Sequence, residues 1–404
     1  MRKNHFLLLW VPLFVLLLTP KQVVYAAAFT PGNLVIYRVG SGVGNLVNTG
    51  NPVFLDEYTT SGTLVQSIPL PTTASGSHYP LIAGGTATSE GLITLSRDQQ
   101  KLLLTGYGST IPCPVPCASA TATIIPRVVA VVNSNGSINT TTGLTDFAST
   151  SNPRSAVSVN GTSLWVAGGT GGPRFTTLGA TTSTQISSTL TNLRQLHIFS
   201  IQLYVSAASG SIRVGTVGTG LPTTTGNTIT NLPGFPTAGG GPYGFVLFDL
   251  TIGVGGVDTL YVADETGLAL TKYSLVGGNW TSNGTVGTSA DAYRGLTALR
   301  SGTTVTLYAT RRGGAGVSGG GELVRLVDSS GYNGTFSGTP TILANAATNT
   351  AFRGIALAPG IGPTAISLAS LQTPTISTVI WPVLALTGLF LLFTAWVWHR
   401  GKAV

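Results

Sequence analysis

Six residues stand at equivalent starts of short strand-like segments: Glu90, Arg154, Arg194, Tyr243, Arg294 and Arg353. Each precedes an apolar or alternating run, in order GLITLS, SAVSV, QLHIFS, GFVLFDL, GLTAL and GIALAP. The intervals between them are 64, 40, 49, 51 and 59 residues. Four guanidinium groups in one register constitute a chemistry. Their planar fork of donors suits carboxylates and other anions. The same donors can instead bond main-chain carbonyls of a neighbouring segment and staple the segments together. A repeated residue at a repeated position suits that structural use, and both readings stand open.

Other reactive side chains are sparse. Of four histidines, His5 and His399 lie in the terminal segments, which leaves His78 in SGSHYP and His197 in RQLHIFS. A lone histidine alternating within a strand reads as structural, and the one before Tyr79 reads as an exposed loop residue. No Ser–His–Asp arrangement follows from the spacing. Asp264 and Glu265, after LYVA, read as turn acids. Cys113 and Cys117 are the only cysteines and enclose two prolines. In an exported segment such a pair predicts a local disulfide; zinc would need further ligands. The N-x-[ST] triplets at Asn135, Asn139, Asn160, Asn279, Asn283 and Asn333 read as turn chemistry. No catalytic residue, metal site or cofactor is assigned.

The elements that must position these residues are strands. Only 8% of the 404 residues are charged, 54 are Gly, and the hydrophobic fraction of 43% recurs largely at period two. That combination argues for an all-β protein. Residues 292–328 read as three strands, RGLTAL, TVTLYATR and GELVRLV, with TPTILA as a fourth. The unit is one blade of a β-propeller, and its pattern recurs at blade-sized intervals. Three strands at residues 33–70 lack an inner partner, and the last repeat at residues 353–358 offers only an inner strand. Pairing these two ends closes the ring and removes an exposed edge. The expected fold is therefore a six-bladed β-propeller over residues 29–359. Its symmetry would bring the four arginines, Glu90 and Tyr243 around one mouth of the central channel.

The two ends read as address signals. Residues 1–28 have the form of a secretory signal peptide: Arg2 and Lys3, a thirteen-residue apolar core, then Ala26-Ala27-Ala28. Residues 360–378 read as a linker. The apolar run 379–398, with Trp381 near one end and Trp396 and Trp398 at the other, predicts one transmembrane helix. Residues 399–404 make a basic cytoplasmic tail. The body of the protein is thus expected outside the cell. The formal net charge of +8 is concentrated at the ends: between Phe29 and Ser377 fifteen Lys/Arg face twelve Asp/Glu. With no basic run interleaved with aromatics, nucleic-acid binding is excluded.

Three resemblances accompany this reading. DTLYVADETGLALTKYSL, residues 258–275, resembles the LYVAD-x-x-N-x-R-I repeat of NHL-type propellers, without its usual Asn. The resemblance implies the fold and the blade count, and no ligand. EGLITLS at Glu90 resembles the EGP-type start of gluconolactonase-like six-bladed propellers, in which that Glu helps to bind a divalent metal. Here the matching starts are Arg, Arg, Tyr, Arg and Arg, a ring in which a cation would be electrostatically unfavourable. The polar motif, apolar span and basic tail resemble C-terminal sorting signals of bacterial surface proteins, although no LPxTG-type motif is present. The expected role is a surface-displayed, membrane-anchored binding module for a carbohydrate, a protein or a small anion. A lactonase-like extracellular enzyme and a structural envelope protein are the alternatives.

Overall fold

The computed structural model describes residues 27–360. The expected transmembrane helix and basic tail, with nearly all of the expected signal peptide and linker, lie outside the described residues. Among the described residues no helix is long and apolar enough to cross a membrane.

The described chain is almost entirely β, with two single-turn 3-10 helices, Cys117–Ser119 and Ser289–Asp291. Four separate antiparallel sheets each hold four strands. They begin with Pro153–Ser158, Leu196–Phe199, Pro242–Phe248 and Gly295–Ser301, and each meanders outward from that innermost strand. Burial falls along the same direction. Pro242–Phe248 and Thr259–Asp264 are buried almost throughout, whereas the outer strand Asn279–Val286 is mostly exposed or half-buried. Sheets packed on both faces need continuous apolar inner strands, and only their rims can afford alternation. Such sheets, three of them with inner strands lining one cavity, make the domain a β-propeller.

The blade count expected from the sequence is corrected here: four separate blades form, not six. The remaining strands belong to one ten-stranded sheet. The two-residue strand Ile82–Ala83 fuses it. It pairs with Asn51–Tyr58 through Asn51↔Ala83 and Pro52↔Ile82, and with Lys101–Tyr107 through Ile82↔Tyr107. The pairing of the two ends is present within this sheet. Leu34–Val39 lies antiparallel to Thr350–Leu357, with Leu34 opposite Leu357 and Val39 opposite Ala351. The strand expected from Glu90 is also shorter than its repeats, being ordered as strand only at Thr94–Leu95. Gly91 adopts φ +75°, and Leu92 bridges in parallel to Ser155 of the next sheet. A Cβ at Gly91 would lie 2.7 Å from the Tyr37 ring, so glycine is required on both counts.

Turn chemistry explains two of the N-x-[ST] triplets. The Asn135 carboxamide oxygen accepts from the Ser137 amide and Asn160 from Thr162, each capping a tight turn. Asn139 accepts from the Thr141 amide within the strand Ile138–Leu144.

Cys113 and Cys117 form a disulfide across four residues. Their amides donate to Thr49 O and Asn48 O at 2.7 and 3.0 Å, which ties the loop to the turn before the strand Asn51–Tyr58. A closed loop this short restrains the unfolded chain only modestly, by about 2 kcal/mol. Replacing both cysteines by Ala should lower the unfolding free energy by about that amount and leave the fold intact. Denaturant titration checks it, and an unchanged midpoint would show that the bridge restrains nothing.

Candidate functional site

The six strand starts form a closed cycle. Leu92 N–H donates to Arg154 O at 3.1 Å, and Leu196 N–H to the Ser155 hydroxyl at 3.0 Å. The Ser206 hydroxyl donates to Tyr243 O at 2.6 Å, and Gly244 N–H to Arg294 O at 2.8 Å. The Thr310 hydroxyl donates to Arg353 O, and Gly354 N–H returns to Gly91 O at 2.9 Å. Such close approach requires glycine: a Cβ at Gly354 would sit 2.4 Å from Gly91 O.

This cycle holds the arginines at one level of the channel. Arg194 and Arg294 converge on Glu265, at 3.4 and 3.1 Å from its two carboxylate oxygens. Both also lie over the Tyr243 ring, with guanidinium carbons 4.5 and 5.8 Å from its centroid. Tyr243 is buried, and that burial raises its hydroxyl pKa, with the flanking arginines acting the other way. Arg294 also donates to Gly313 O at 2.6 Å. Arg154 donates to the Asn192 side chain at 2.6 Å and to Leu193 O at 2.7 Å. Arg353 donates to Gly85 O at 3.0 Å. Each arginine therefore joins neighbouring segments, as stapling requires.

Stapling does not use all their donors. The Nε groups of Arg154, Arg194 and Arg353 are buried without a hydrogen-bond partner among the described residues. Burial, and next the charge of Arg194, lowers the Arg154 pKa to about 10. Burial, and next the charge of Arg294, does the same to Arg353, again to about 10. Both stay protonated near neutrality, so the strand starts carry positive charge that the acids beside them do not balance. Four guanidinium groups face two carboxylates, Glu265 and Glu90.

Glu90 is committed to its surroundings. Its carboxylate accepts from Gly84 N–H at 2.8 Å, from the Tyr107 hydroxyl at 2.6 Å and from the Asn152 carboxamide. Burial raises its pKa, and these three bonds together with Arg353 oppose the rise. Among the described residues no group of three or more His, Cys, Asp or Glu could hold a metal ion. His78 serves its loop, its Nδ1 accepting from Thr140 N–H at 3.3 Å. His197 stacks on Phe199 with centroids 4.8 Å apart, and burial lowers its pKa to about 4.

Sequence reasoning missed Glu265, which it left as a turn acid. The signal was indirect: an acid two residues before Gly267, on a turn that leaves a strand at the arginine end. It also missed Arg127, which is buried and donates to the carbonyls of Ala120, Ile125 and Ala148.

No protein-family model matches the chain, and neither does any curated protein. Among solved structures it is similar to a candidate 6-phosphogluconolactonase of Bacteroides uniformis, at 14% identity and TM-score 0.42 over 82% of this chain and 84% of that one. It is similar to a Bacteroides thetaiotaomicron protein of unknown function, at 10% identity and TM-score 0.44 over 75% and 84%. The soluble aldose sugar dehydrogenase of Escherichia coli matches at 12% identity and TM-score 0.42, over 73% and 99%. Likeness at this level speaks to neither substrate nor activity.

Proposed function

We propose that this chain is a surface-displayed, membrane-anchored propeller that binds an extracellular sugar acid at its arginine-lined mouth. The observation that supports it is the set of four guanidinium groups in one register, with Arg194 and Arg294 lying over the Tyr243 ring. An incoming carboxylate would meet the partly exposed guanidinium groups of Arg194 and Arg294, which already converge on one carboxylate. Glu265 occupies the place such a carboxylate would take between Arg194 and Arg294. It acts as an internal competitor. Export and anchoring follow from the terminal segments read above.

On the same reading the ten-stranded sheet closes the ring beside the four separate blades. The closed cycle of hydrogen bonds through the six strand starts supports that closure. The NHL-like segment supplies the middle hairpin of its sheet, Thr259–Asp264 with Leu270–Val276.

The test is calorimetry on the full chain in detergent, with galacturonate against galactose. Galacturonate should bind and the neutral sugar should not. Arg294→Ala should weaken binding at least tenfold, a typical loss for one charge-assisted hydrogen bond to an anion. Glu265→Gln should strengthen it, because the internal carboxylate no longer competes. A purely structural ring predicts the opposite pattern: both variants lose thermal stability and neither binds anions. That result would overturn the proposal.

A further inference from the structure

The same register defines a second site, deeper in the channel. Three residues after Glu90, Arg194, Tyr243, Arg294 and Arg353 come Ile93, His197, Val246, Thr297 and Ala356, and all five line one cavity of about 330 Å³. Three residues of strand advance roughly 10 Å, so this cavity lies well below the arginine mouth. Its size falls within the range of small-molecule sites.

One part of the wall is apolar and aromatic, with Ile93, Phe199, Phe248 and Leu296, and the rest carries Thr94, Ser96, Gln99 and Thr297. Phe199 and His197 stack at 4.8 Å, and Phe245 backs His197 edge-on at 5.6 Å. His197 is neutral near pH 7, because burial lowers its pKa to about 4, so it brings no charge to the wall. The one charged group lining the cavity is Arg97. Arg97 is exposed, and among the described residues its guanidinium forms no ion pair. The adjacent acid, Asp98, is turned into its own loop, where it accepts from the Ser96 hydroxyl and the Gln100 amide.

We propose that this cavity binds an apolar monocarboxylate, its body against Phe199 and Ile93 and its carboxylate on Arg97. The apolar part of the wall selects the body by burial, and a single unpaired guanidinium at the rim selects one negative charge. The two ends of the channel thus differ in chemistry: a polar anion at one, an amphiphilic anion at the other.

The probes are phenylacetate and its neutral isostere phenylacetamide, titrated calorimetrically into the full chain. Phenylacetate should bind saturably, and phenylacetamide at least tenfold more weakly, as expected when a charge-assisted bond is lost. Arg97→Gln changes an exposed side chain and should reproduce that tenfold loss without altering thermal unfolding. Thr297→Trp, which fills the cavity from a half-buried position, should abolish binding. Arg294→Ala should leave phenylacetate affinity unchanged, which separates this site from the mouth. No saturable binding of phenylacetate, or equal binding of acid and amide, would overturn the proposal. So would full retention of affinity in Arg97→Gln.

Discussion

Deleting residues 350–358 from the full chain should abolish cooperative folding. The strand Thr350–Leu357 is buried at seven of its eight positions and is paired along Leu34–Val39. Its Phe352 and Ile355 complete a cluster with Leu34, Ile36, Tyr58, Tyr308 and Leu323. Burying one large apolar side chain contributes about 1.5–3 kcal/mol, so Phe352 and Ile355 alone stabilise by several. Loss of the strand also removes the bonds from Thr310 to Arg353 and from Gly354 to Gly91, which open the cycle at two points. Leu34–Val39 is then left as an unpaired apolar edge, a template for aggregation. The summed loss is comparable with the entire stability of a typical domain, about 5–15 kcal/mol. Circular dichroism and thermal melting of the deletion should show no cooperative transition. A chain ending at Gly360 keeps every described strand and serves as the control. A melt of the deletion that overlays the control would mean that the two ends do not close the ring.

The part of this fold that was legible in the sequence is the part controlled locally. Thr304–Arg311 lies where the run TVTLYATR placed it, because a strand buried along most of its length writes that length into the sequence. The equivalence of the strand starts was legible for a similar reason: repetition exposes a register even when no single segment does. Ile82–Ala83 was not legible, since two residues have no period, yet it fuses ten strands into one sheet. The partners of charged side chains were equally hidden. Arg194 and Glu265 are 71 residues apart, and the intervening turns decide that they meet. The inward face of a turn is a tertiary outcome, and neither composition nor periodicity encodes it.

Lys272 illustrates the same point and carries the second large effect. It is fully buried, in the strand Leu270–Val276, with its ammonium 2.8 Å from Asp328. It also donates to the Ser330 hydroxyl at 2.7 Å and to Gly331 O at 2.6 Å, which bolts one sheet to the next. Asp328 is saturated in turn, accepting from the Tyr261 hydroxyl and the Ser330 hydroxyl, both at 2.6 Å. Lys272→Met should destabilise the propeller by about 3–5 kcal/mol, because it leaves a carboxylate buried without its counter-ion. Adding Asp328→Asn should recover much of that loss, since the remaining polar group is then neutral and keeps Ser330 and Tyr261 as partners.

The pH dependence separates this account from simple loss of packing. In the parent protein burial, the largest single influence, pushes the Asp328 pKa up. The bonds from Lys272, Ser330 and Tyr261 outweigh it, so the net pKa is lowered. A carboxyl with a lowered folded pKa contributes stability that is present above its unfolded pKa and is lost as pH falls through the folded value. Removing Lys272 leaves burial opposed by Ser330 and Tyr261 alone, and the folded pKa must rise. The variant therefore recovers stability, relative to the parent, as acid protonates Asp328. The gap between parent and Lys272→Met should narrow as pH is lowered from 7 towards 4, by at most about 1.4 kcal/mol per pH unit. Denaturant titrations of both proteins across that range measure it. A gap that stays constant with pH would mean that Lys272 acts through its methylenes and not through its charge.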